Sequence, residues 1–481
     1  MATVFMFEQI PLIELNKLTV QRSGRTRIRE LTFQLNSGEC WAVIGPTGSG
    51  KSTFLQALAG QFHAGTATLS RRVPTEFVSF KEESSRFSYS GYFYQQRYQA
   101  TMSDSSEGSD PAYNSIPTLR SFLQLTDSPE SLALVDRLGL TPILDRAFIK
   151  LSNGQTRKAR IGKALLRHPS VLLLDNPFVG LDAVFRAELT NWLGDLTKHG
   201  LTLVLVTEPD DIPSFITHIA DLENGQIRWA GPKENYTAEA TSWPEITPPV
   251  LNTAAPITDF QEAFRLRNVT VRYGDTIILD GLDWAVRAGE RWALFGPNGA
   301  GKSVLLSLLY GDHPQAYSND VSVFGHRRGK SGESIWDVKR RIGFVSPELH
   351  LYFPQGLSAR QVALTGLTDT LTPPNRVAPE TEVDLTNLFA YFKLSHLIDC
   401  SFGTLSAGEQ RLILLVRAFL KNAPVLLLDE PFQAIDSFHV QLARQLIDSF
   451  IDKTILFVTH NKHELPESID QIYTIKVAVP N

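Results

Sequence analysis

At 481 residues, 43% of them hydrophobic, the chain has room for about two to four globular domains. Its formal net charge of −5 gives no overall basic field, so we expect no direct binding to nucleic acid. The two cysteines, Cys40 and Cys400, lie far apart in the sequence, which argues against a disulfide framework and a structural zinc site.

No apolar run reaches about 18 residues, the length that would predict a membrane-spanning helix. Residues 1–10 lack a basic segment, and Glu8 and Glu14 interrupt the apolar stretch, so we expect no signal peptide. The expected location is cytoplasmic. A place at the inner face of the plasma membrane would require a separate partner subunit.

The first motif with chemical meaning follows a short apolar run, 41–44, that predicts a buried strand. It fits the phosphate-binding pattern G-x-x-x-x-G-K-[ST], and Thr53 then begins a predicted helix; strand, loop and helix form the context that this motif requires. Its glycines let backbone N–H groups surround a phosphate at the positive end of the helix dipole. The motif residues are Gly45, Pro46, Thr47, Gly48, Ser49, Gly50, Lys51 and Ser52.

Two stretches further along differ in composition from the rest. Residues 81–115 are rich in Ser, Tyr and Gln, and their part 103–110 predicts a mobile surface loop. Residues 231–263 carry five prolines and mostly acidic charges, which predicts an extended linker.

The phosphate-binding motif occurs a second time, with its lysine 251 residues after the first one. It again lies between an apolar run, 292–295, and a predicted helix that begins at Val304. The residues of this second motif are Gly296, Pro297, Asn298, Gly299, Ala300, Gly301, Lys302 and Ser303. Two other motifs, L-S-x-G-[QE] and V-L-L-L-D, recur 254 residues apart.

The constant order and offset indicate a tandem duplication of one α/β domain with a mainly parallel central sheet. We expect a first nucleotide-binding domain at 1–230, the linker at 231–263, and a second nucleotide-binding domain at 264–481.

The motif order in each half resembles that of the ATP-binding cassette (ABC) ATPase family, over nearly the whole chain. The L-S-x-G-[QE] signature is the most specific part of the resemblance. Its predicted nucleotide-binding residues are Ser152, Asn153, Gly154 and Gln155 in the first half, and Ser406, Ala407, Gly408 and Glu409 in the second. The resemblance implies two P-loop NTPase domains of the ABC type, each with a helical subdomain, that bind ATP and Mg²⁺ and hydrolyse ATP.

The second half has a complete set of catalytic motif residues. Lys302 would reach the β- and γ-phosphates, and Ser303 with Asp429 would hold Mg²⁺. Glu430 follows Asp429 at the carboxyl end of a strand and would polarise the attacking water. The resemblance places His460 at the γ-phosphate.

Simpler interpretations of three of these residues remain open. Glu430 could instead cap the helix that follows Pro431, and His460 could be a structural histidine. Tyr273, 29 residues before Lys302, could stack on adenine or be an ordinary aromatic residue of a strand.

The first half keeps the phosphate cradle and the predicted metal-holding pair, Ser52 and Asp175, but departs from the pattern elsewhere. Asn176 replaces the catalytic glutamate, and an amide cannot accept a proton as a carboxylate does. Glu208 replaces the histidine and would repel a γ-phosphate, and Arg22 replaces the tyrosine. We expect the first half to bind nucleotide with little turnover.

In the family, each P-loop faces the signature of the other cassette. The resemblance therefore implies that the two halves pair head to tail, with Lys302 facing Ser152 and Lys51 facing Ser406. The metal-contacting Q-loop is unassigned, because residues 345–348 at its position contain no glutamine. In the first half, residues 78–81 align with that position, and Gln95 and Gln96 are alternatives.

Residues 311–337 are similar to a subgroup of bacterial double-cassette proteins labelled as molybdenum-transport or photorepair ATP-binding proteins. The runs 326–328 and 339–341 are basic and predict a solvated face beside the nucleotide site.

Three functions compete. The favoured one is the ATP-hydrolysing subunit of a transporter, with separate transmembrane permease subunits. The second is an ATPase that acts on ribosomes or another assembly; the Pro-rich linker argues against it. The third, a DNA-repair ATPase, is disfavoured because about 100 residues between Lys302 and Ser406 leave no room for a long coiled coil.

Overall fold

The computed structural model describes two compact units, one up to residue 237 and one from residue 246. The polar segment 81–115, which includes the predicted mobile loop 103–110, lies outside the described residues. The described residues are 10–22, 25–62, 68–80, 117–148, 151, 153–181, 183–237, 246–252, 259–274, 276–297, 299–330 and 332–475.

The first unit consists of two sheets and flanking helices. Its strands are β1 (Ile13–Arg22), β2 (Arg25–Leu35), β3 (Cys40–Ile44), β4 (Thr68–Arg71), β5 (Thr75–Ser79), β6 (Val171–Asp175), β7 (Thr202–Val206), β8 (His218–Glu223) and β9 (Gln226–Pro232). Its helices are α1 (Lys51–Leu58), α2 (Leu119–Leu123), α3 (Pro129–Arg137), α4 (Asn153–Leu165) and α5 (Ala183–Lys198).

The larger sheet of the first unit has the order β5-β6-β7-β3-β8-β9, in which β9 is antiparallel and the others are parallel. Strands β3, β6 and β7 are buried along their whole length, which explains their continuous apolar sequences. The smaller sheet, β2-β1-β4, is antiparallel.

The second unit repeats this arrangement. Its strands are β10 (Glu262–Tyr273), β11 (Thr276–Arg287), β12 (Arg291–Phe295), β13 (Asp320–Val323), β14 (His326–Arg327), β15 (Ile342–Val345), β16 (Val425–Asp429), β17 (Thr454–Val458) and β18 (Gln471–Thr474). Its helices are α6 (Lys302–Tyr310), α7 (Ile335–Arg340), α8 (Ala359–Leu364), α9 (Pro379–Tyr391), α10 (Ala407–Leu420) and α11 (Ser437–Ser449).

The parallel sheet of the second unit has the order β15-β16-β17-β12-β18, and the antiparallel sheet has the order β11-β10-β13-β14. The strand that precedes the P-loop has equivalent neighbours in the two units: β3 lies between β7 and β8, and β12 lies between β17 and β18. The prediction of two α/β domains with mainly parallel sheets is confirmed.

Apolar residues of α8, α9 and α10 form one core of the second unit together with α11 and with residues of β15, β16 and β17. A separate core lies under α6 and the β10–β11 hairpin. This division corresponds to the expected helical subdomain beside the P-loop core. Within the described residues, no helix is both long and apolar enough to cross a membrane.

The predicted linker is shorter than expected and partly docked. Strand β9 continues to Pro232 and β10 begins at Glu262, so both units extend past the predicted boundaries at 230 and 264. Ile246 and Leu251 pack against the helical core of the second unit. The backbone N and Nδ2 of Asn252 donate to the buried carboxylate of Asp384, at 2.8 and 2.9 Å.

The prediction of a solvated basic face at 326–328 and 339–341 is wrong for three of its residues. Arg328 is only 2% exposed and lies over the ring of Tyr317. Lys339 pairs with Asp312 at 2.6 Å, and Arg341 stacks on Phe324. The charged head groups of these residues lie over the rings of Tyr317, Tyr310 and Phe324, contacts that a run of basic residues in the sequence does not reveal.

Candidate functional site

The P-loop of the second unit connects β12 to α6. The helix begins at Lys302 and is preceded by Gly301 with a φ of 90°. A Cβ on Gly301 would lie 2.9 Å from Ile278 Cγ2 and 3.0 Å from Leu279 Cδ2 of the hairpin above it, so only glycine fits. All the predicted motif residues lie in this loop and first turn, except that Asn298 is outside the described residues.

The Lys302 side chain lies along the base of the loop. Its Nζ donates to the carbonyl oxygens of Gly296 at 2.7 Å and Pro297 at 3.1 Å, and the residue is 7% exposed. The ammonium group is therefore held within the turn whose N–H groups would bind phosphate, where it can add positive charge.

Asp429 and Ser303 meet at the carboxyl edge of the sheet. The Ser303 hydroxyl donates to Asp429 Oδ2 at 3.2 Å, and Asp429 is 5% exposed. Burial, reinforced by the adjacent Glu430 charge, raises the pKa of Asp429 to about 7.

This hydroxyl–carboxylate pair offers hard oxygen ligands that fit Mg²⁺. Within the described residues, no group of three or more His, Cys, Asp or Glu side chains converges in a way that could hold a metal ion.

Glu430 and His460 lie next to this pair. Glu430 Oε1 is 3.4 Å from His460 Nδ1, and Glu430 has a left-handed φ of 42°. The backbone N–H of Glu430 donates to Val458 at 2.9 Å. The alternative that Glu430 caps the next helix is wrong, because α11 begins at Ser437 and is capped by Asp436.

Sequence reasoning missed a further carboxylate beside His460. Glu464 accepts a hydrogen bond from the Thr459 hydroxyl at 2.7 Å. Burial raises the pKa of Glu464, and the nearby Glu430 charge raises it further. No motif pointed to Glu464, although its place four residues after His460 puts it in the same loop.

Tyr273 ends β10, and its hydroxyl is 2.6 Å from Nε2 of the fully buried His313. His313 Nδ1 accepts from the N–H of Gln315, which assigns the proton to Nε2. Burial lowers the pKa of His313 to about 4, so the ring is neutral near pH 7. Stacking of Tyr273 on adenine stays a prediction.

The second signature forms the start of α10. Ser406 is the N-cap: its hydroxyl accepts from Glu409 N at 3.3 Å, and its own N–H donates to Glu409 Oε2 at 2.6 Å. The signature is thus also a capping box, with Ala407 and Gly408 in the first turn.

The P-loop of the first unit has the same construction. Gly50 has a φ of 103° before α1, and a Cβ there would lie 2.8 Å from the Arg27 carbonyl oxygen. Lys51 Nζ donates to the carbonyls of Gly45 and Pro46. Ser52 donates to Asp175 Oδ1 at 3.0 Å.

Of the substituted residues of the first unit, Asn176 lies beside the Ser52–Asp175 pair. Asn176 Nδ2 donates to Asp175 Oδ1 at 3.1 Å. Glu208 precedes a short 3-10 helix, Pro209–Asp211. Gly154 and Gln155 lie in the first turn of α4. Ser152 and the side chains of Asn153 and Arg22 are outside the description, as are the alternative Q-loop residues Gln95 and Gln96.

Comparison with known proteins agrees with this architecture. The ABC transporter family profile matches residues 28–179 and 279–433. The ABC transporter ATP-binding protein ModF of Escherichia coli is 36% identical, over 90% of this chain and 91% of its own length. An uncharacterised ABC transporter ATP-binding protein of Schizosaccharomyces pombe is 31% identical, over 92% and 93% of the two chains.

The chain belongs to the ABC transporter family and is a tandem ATP-binding cassette ATPase. The predicted family, fold class and ATPase class are therefore confirmed. Among solved structures, ribosome-bound archaeal Pelota and ABCE1 matches with a TM-score of 0.60 and 18% identity, over 95% of this chain and 76% of that chain. At this identity the match shows a shared fold.

Proposed function

We propose that the second unit contains the hydrolytic ATP site and that the first unit mainly binds nucleotide. The single observation that supports this asymmetry is the residue after the buried aspartate: Glu430, beside His460, in one unit and Asn176, bonded to Asp175, in the other. A carboxylate can take the proton of an attacking water, and an amide cannot.

In this proposal the P-loop backbone and Lys302 bind the β- and γ-phosphates. Ser303 and Asp429 would hold Mg²⁺, which when bound neutralises phosphate charge. Glu430 orients water and accepts its proton, and His460 keeps Glu430 in place from Nδ1.

ATP turnover and nucleotide stoichiometry of the wild type, Glu430→Gln and Asn176→Ala test the asymmetry. We expect Glu430→Gln to bind about two ATP per chain and to lose about 10²–10⁴-fold in turnover, the usual contribution of general-base catalysis. Asn176→Ala should change turnover by less than about twofold, because no proton transfer depends on its amide. Equal losses in the two variants would contradict one hydrolytic site.

We further propose that the ATPase is a cytoplasmic subunit that energises transport through separate transmembrane subunits. The supporting observations are the similarity to ModF, which is described as an ABC transporter ATP-binding protein, and the Pro-rich, acidic connection between the units. Co-purification of Glu430→Gln with ATP tests this role. A transmembrane protein is the expected partner, whereas ribosomes would support the competing function on an assembly.

A further inference from the structure

Arg411 lies on α10, five residues after the signature N-cap Ser406, and is 6% exposed. Its Nη1 donates to the carbonyl oxygen of Ser346 at 2.7 Å. Its Nη2 donates to the carbonyl oxygen of Pro347 at 3.0 Å and to Gln433 Oε1 at 3.2 Å. One guanidinium thus bridges two loops that are more than 80 residues apart in the sequence.

Both loops leave the parallel sheet beside Asp429, and each carries a carboxylate, Glu348 in one and Glu430 in the other. Because Val345 pairs with Leu428 in the parallel sheet, the chain after β15 leaves the sheet beside Asp429. Glu348 follows Pro347 directly, and its charge acts on the Asp429 carboxyl group. On the other side, Gln433 comes three residues after Glu430 in the loop that follows β16.

We propose that Arg411 is a positioning residue that fixes Glu348 and Glu430 relative to Asp429 and ties both carboxylates to the signature helix. The inference rests on the proposed nucleotide site of the second unit. Any displacement of α10 moves the guanidinium and, through its three hydrogen bonds, the two loops. Glu348 lies at the Q-loop position, for which no glutamine could be assigned. Its carboxylate is the third in this region, together with those of Asp429 and Glu430.

The geometry requires an arginine. The planar guanidinium presents several N–H groups in a fixed fork, whereas an ammonium group offers a single point of charge. Lysine at this position could reach one carbonyl group but could not bridge Ser346, Pro347 and Gln433 together.

In the first unit, two arginines make the hydrogen bonds that correspond to those of Arg411. Arg157, the equivalent of Arg411 on α4, donates to the carbonyls of Asn176, Pro177 and Val179, all in one segment. Arg160 separately donates to the Ser79 carbonyl at 3.0 Å. The Arg157 guanidinium also lies over the ring of Phe80, 5.0 Å from its centroid, in the loop that follows β5. Arg157→Lys is therefore a matched variant at two loops that carry Lys81 and Asn176, and no carboxylate, at the positions of Glu348 and Glu430.

The test compares Arg411→Lys with Arg157→Lys and with Arg360→Lys, whose guanidinium pairs with Glu382 away from the site. The main measurement is the Mg²⁺ concentration that gives half-maximal binding of a fluorescent ATP analogue. Turnover, nucleotide affinity without metal, and the melting temperature are measured on the same samples.

For Arg411→Lys we expect a rise of about tenfold in the required Mg²⁺ concentration and a similar loss of turnover, the size usual for residues that orient metal ligands. Nucleotide affinity without metal should change by less than about twofold, because the P-loop is untouched. Arg157→Lys and Arg360→Lys should keep the wild-type Mg²⁺ requirement.

Glu348→Gln, alone and combined with Arg411→Lys, tests whether Arg411 affects Mg²⁺ binding through Glu348. If Arg411 acts on the metal through Glu348, the double variant should require no more Mg²⁺ than the more affected single variant, as coupled residues do. A Mg²⁺ requirement of Arg411→Lys within twofold of wild type would overturn the inference, even with a lower melting temperature. A wild type that binds no Mg²⁺–nucleotide would overturn the proposed function and, with it, this inference.

Discussion

The two units share one scaffold and differ in the residues that would perform chemistry. In each, the P-loop lysine lies on the first two loop carbonyls, and a serine joins the loop to a buried aspartate. The next residue is left-handed in both, with a φ of 56° at Asn176 and 42° at Glu430. Asparagine tolerates this backbone better than glutamate does.

The residue after the aspartate therefore has opposite effects in the two units. Asn176 donates to Asp175 and so stabilises its charge. Glu430 adds a like charge beside Asp429 and keeps a disfavoured φ, a cost that is typical of functional sites. The P-loop of the first unit thus keeps its internal hydrogen bonds although Asn176, and no carboxylate, follows its aspartate.

A second difference lies at the far end of the signature helix. In the second unit, Lys421 binds the buried Asp369 and the carbonyls of Lys339 and Ile342, which ties the helical core to the sheet. Burial lowers the pKa of Lys421 to about 8. In the first unit, the equivalent Arg167 pairs with Glu76 at the surface, at 3.0 Å.

Replacing Lys421 should give the largest change in stability. Lys421→Met removes the cation closest to the buried Asp369 and leaves Arg417 at 3.9 Å; breaking a buried pair in this way costs about 3–5 kcal/mol. Arg167→Met, at a pair with an arginine that is 57% exposed, should cost less than about 1 kcal/mol. Urea unfolding followed by fluorescence measures both values.

The double variant Asp369→Asn/Lys421→Met is the control: it removes the carboxylate that lost Lys421 and should recover only part of the loss, because the buried Arg417 also pairs with Asp369. Equal destabilisation by Lys421→Met and Arg167→Met would show that the buried cluster does not distinguish the units.

The His313–Tyr273 pair predicts a smaller effect that depends on pH and is confined to the second unit. The pKa of folded His313 is about 4, below the ordinary value of about 6.5. As pH falls from about 6.5 to 4, the unfolded chain takes up a proton that the folded ring refuses, so up to about 3 kcal/mol of stability is lost.

Phe62 occupies the position of His313 in the first unit, so His313→Phe is the natural comparison. Urea unfolding at pH 7.5, 6 and 5 should show a fall in stability for the wild type and a flatter profile for His313→Phe. If the free energy of unfolding depends on pH equally in the wild type and in His313→Phe, His313 does not cause the loss of stability.

The smallest expected effect concerns Ser406, which is the N-cap of α10 as well as a predicted nucleotide-binding residue of the signature. Ser406→Ala removes the N-cap of α10 and should cost about 1 kcal/mol of stability, whereas Ser406→Asn keeps a capping oxygen and should cost only a few tenths. The same pair of substitutions at Ser152 extends the comparison to the first unit. Melting curves without nucleotide measure this; an undiminished stability of Ser406→Ala would reject the capping role.

Local spacing was sufficient to predict the two P-loops. The helix expected from Val304 begins at Lys302, and the strand expected at 41–44 begins at Cys40. These motifs are continuous in sequence, so backbone sterics and periodicity define them. Asp429 and Glu430 were found for the same reason, because they end an apolar strand that is recognisable by itself.

The sequence-based predictions were wrong where burial or long-range contacts determine the environment of a residue. Arg328 belongs to a basic run that predicts a solvated face, yet packing against Tyr317 buries it. The acidic, Pro-rich stretch reads as a free linker, yet Asn252 binds Asp384, 132 residues away. Burial is a property of the folded neighbourhood, and neither composition nor charge runs encode it directly.

The duplicated α/β architecture, the two P-loops and the change from Glu430 to Asn176 between the units could all be predicted from the sequence, because each lies in contiguous residues. Only the tertiary structure decided that Glu348 lies near Asp429, that His313 holds Tyr273, and that Arg411 joins two loops to the signature helix. The physical reason is distance along the chain: Arg411 and Ser346 are 65 residues apart, and only folding brings such groups within hydrogen-bonding reach.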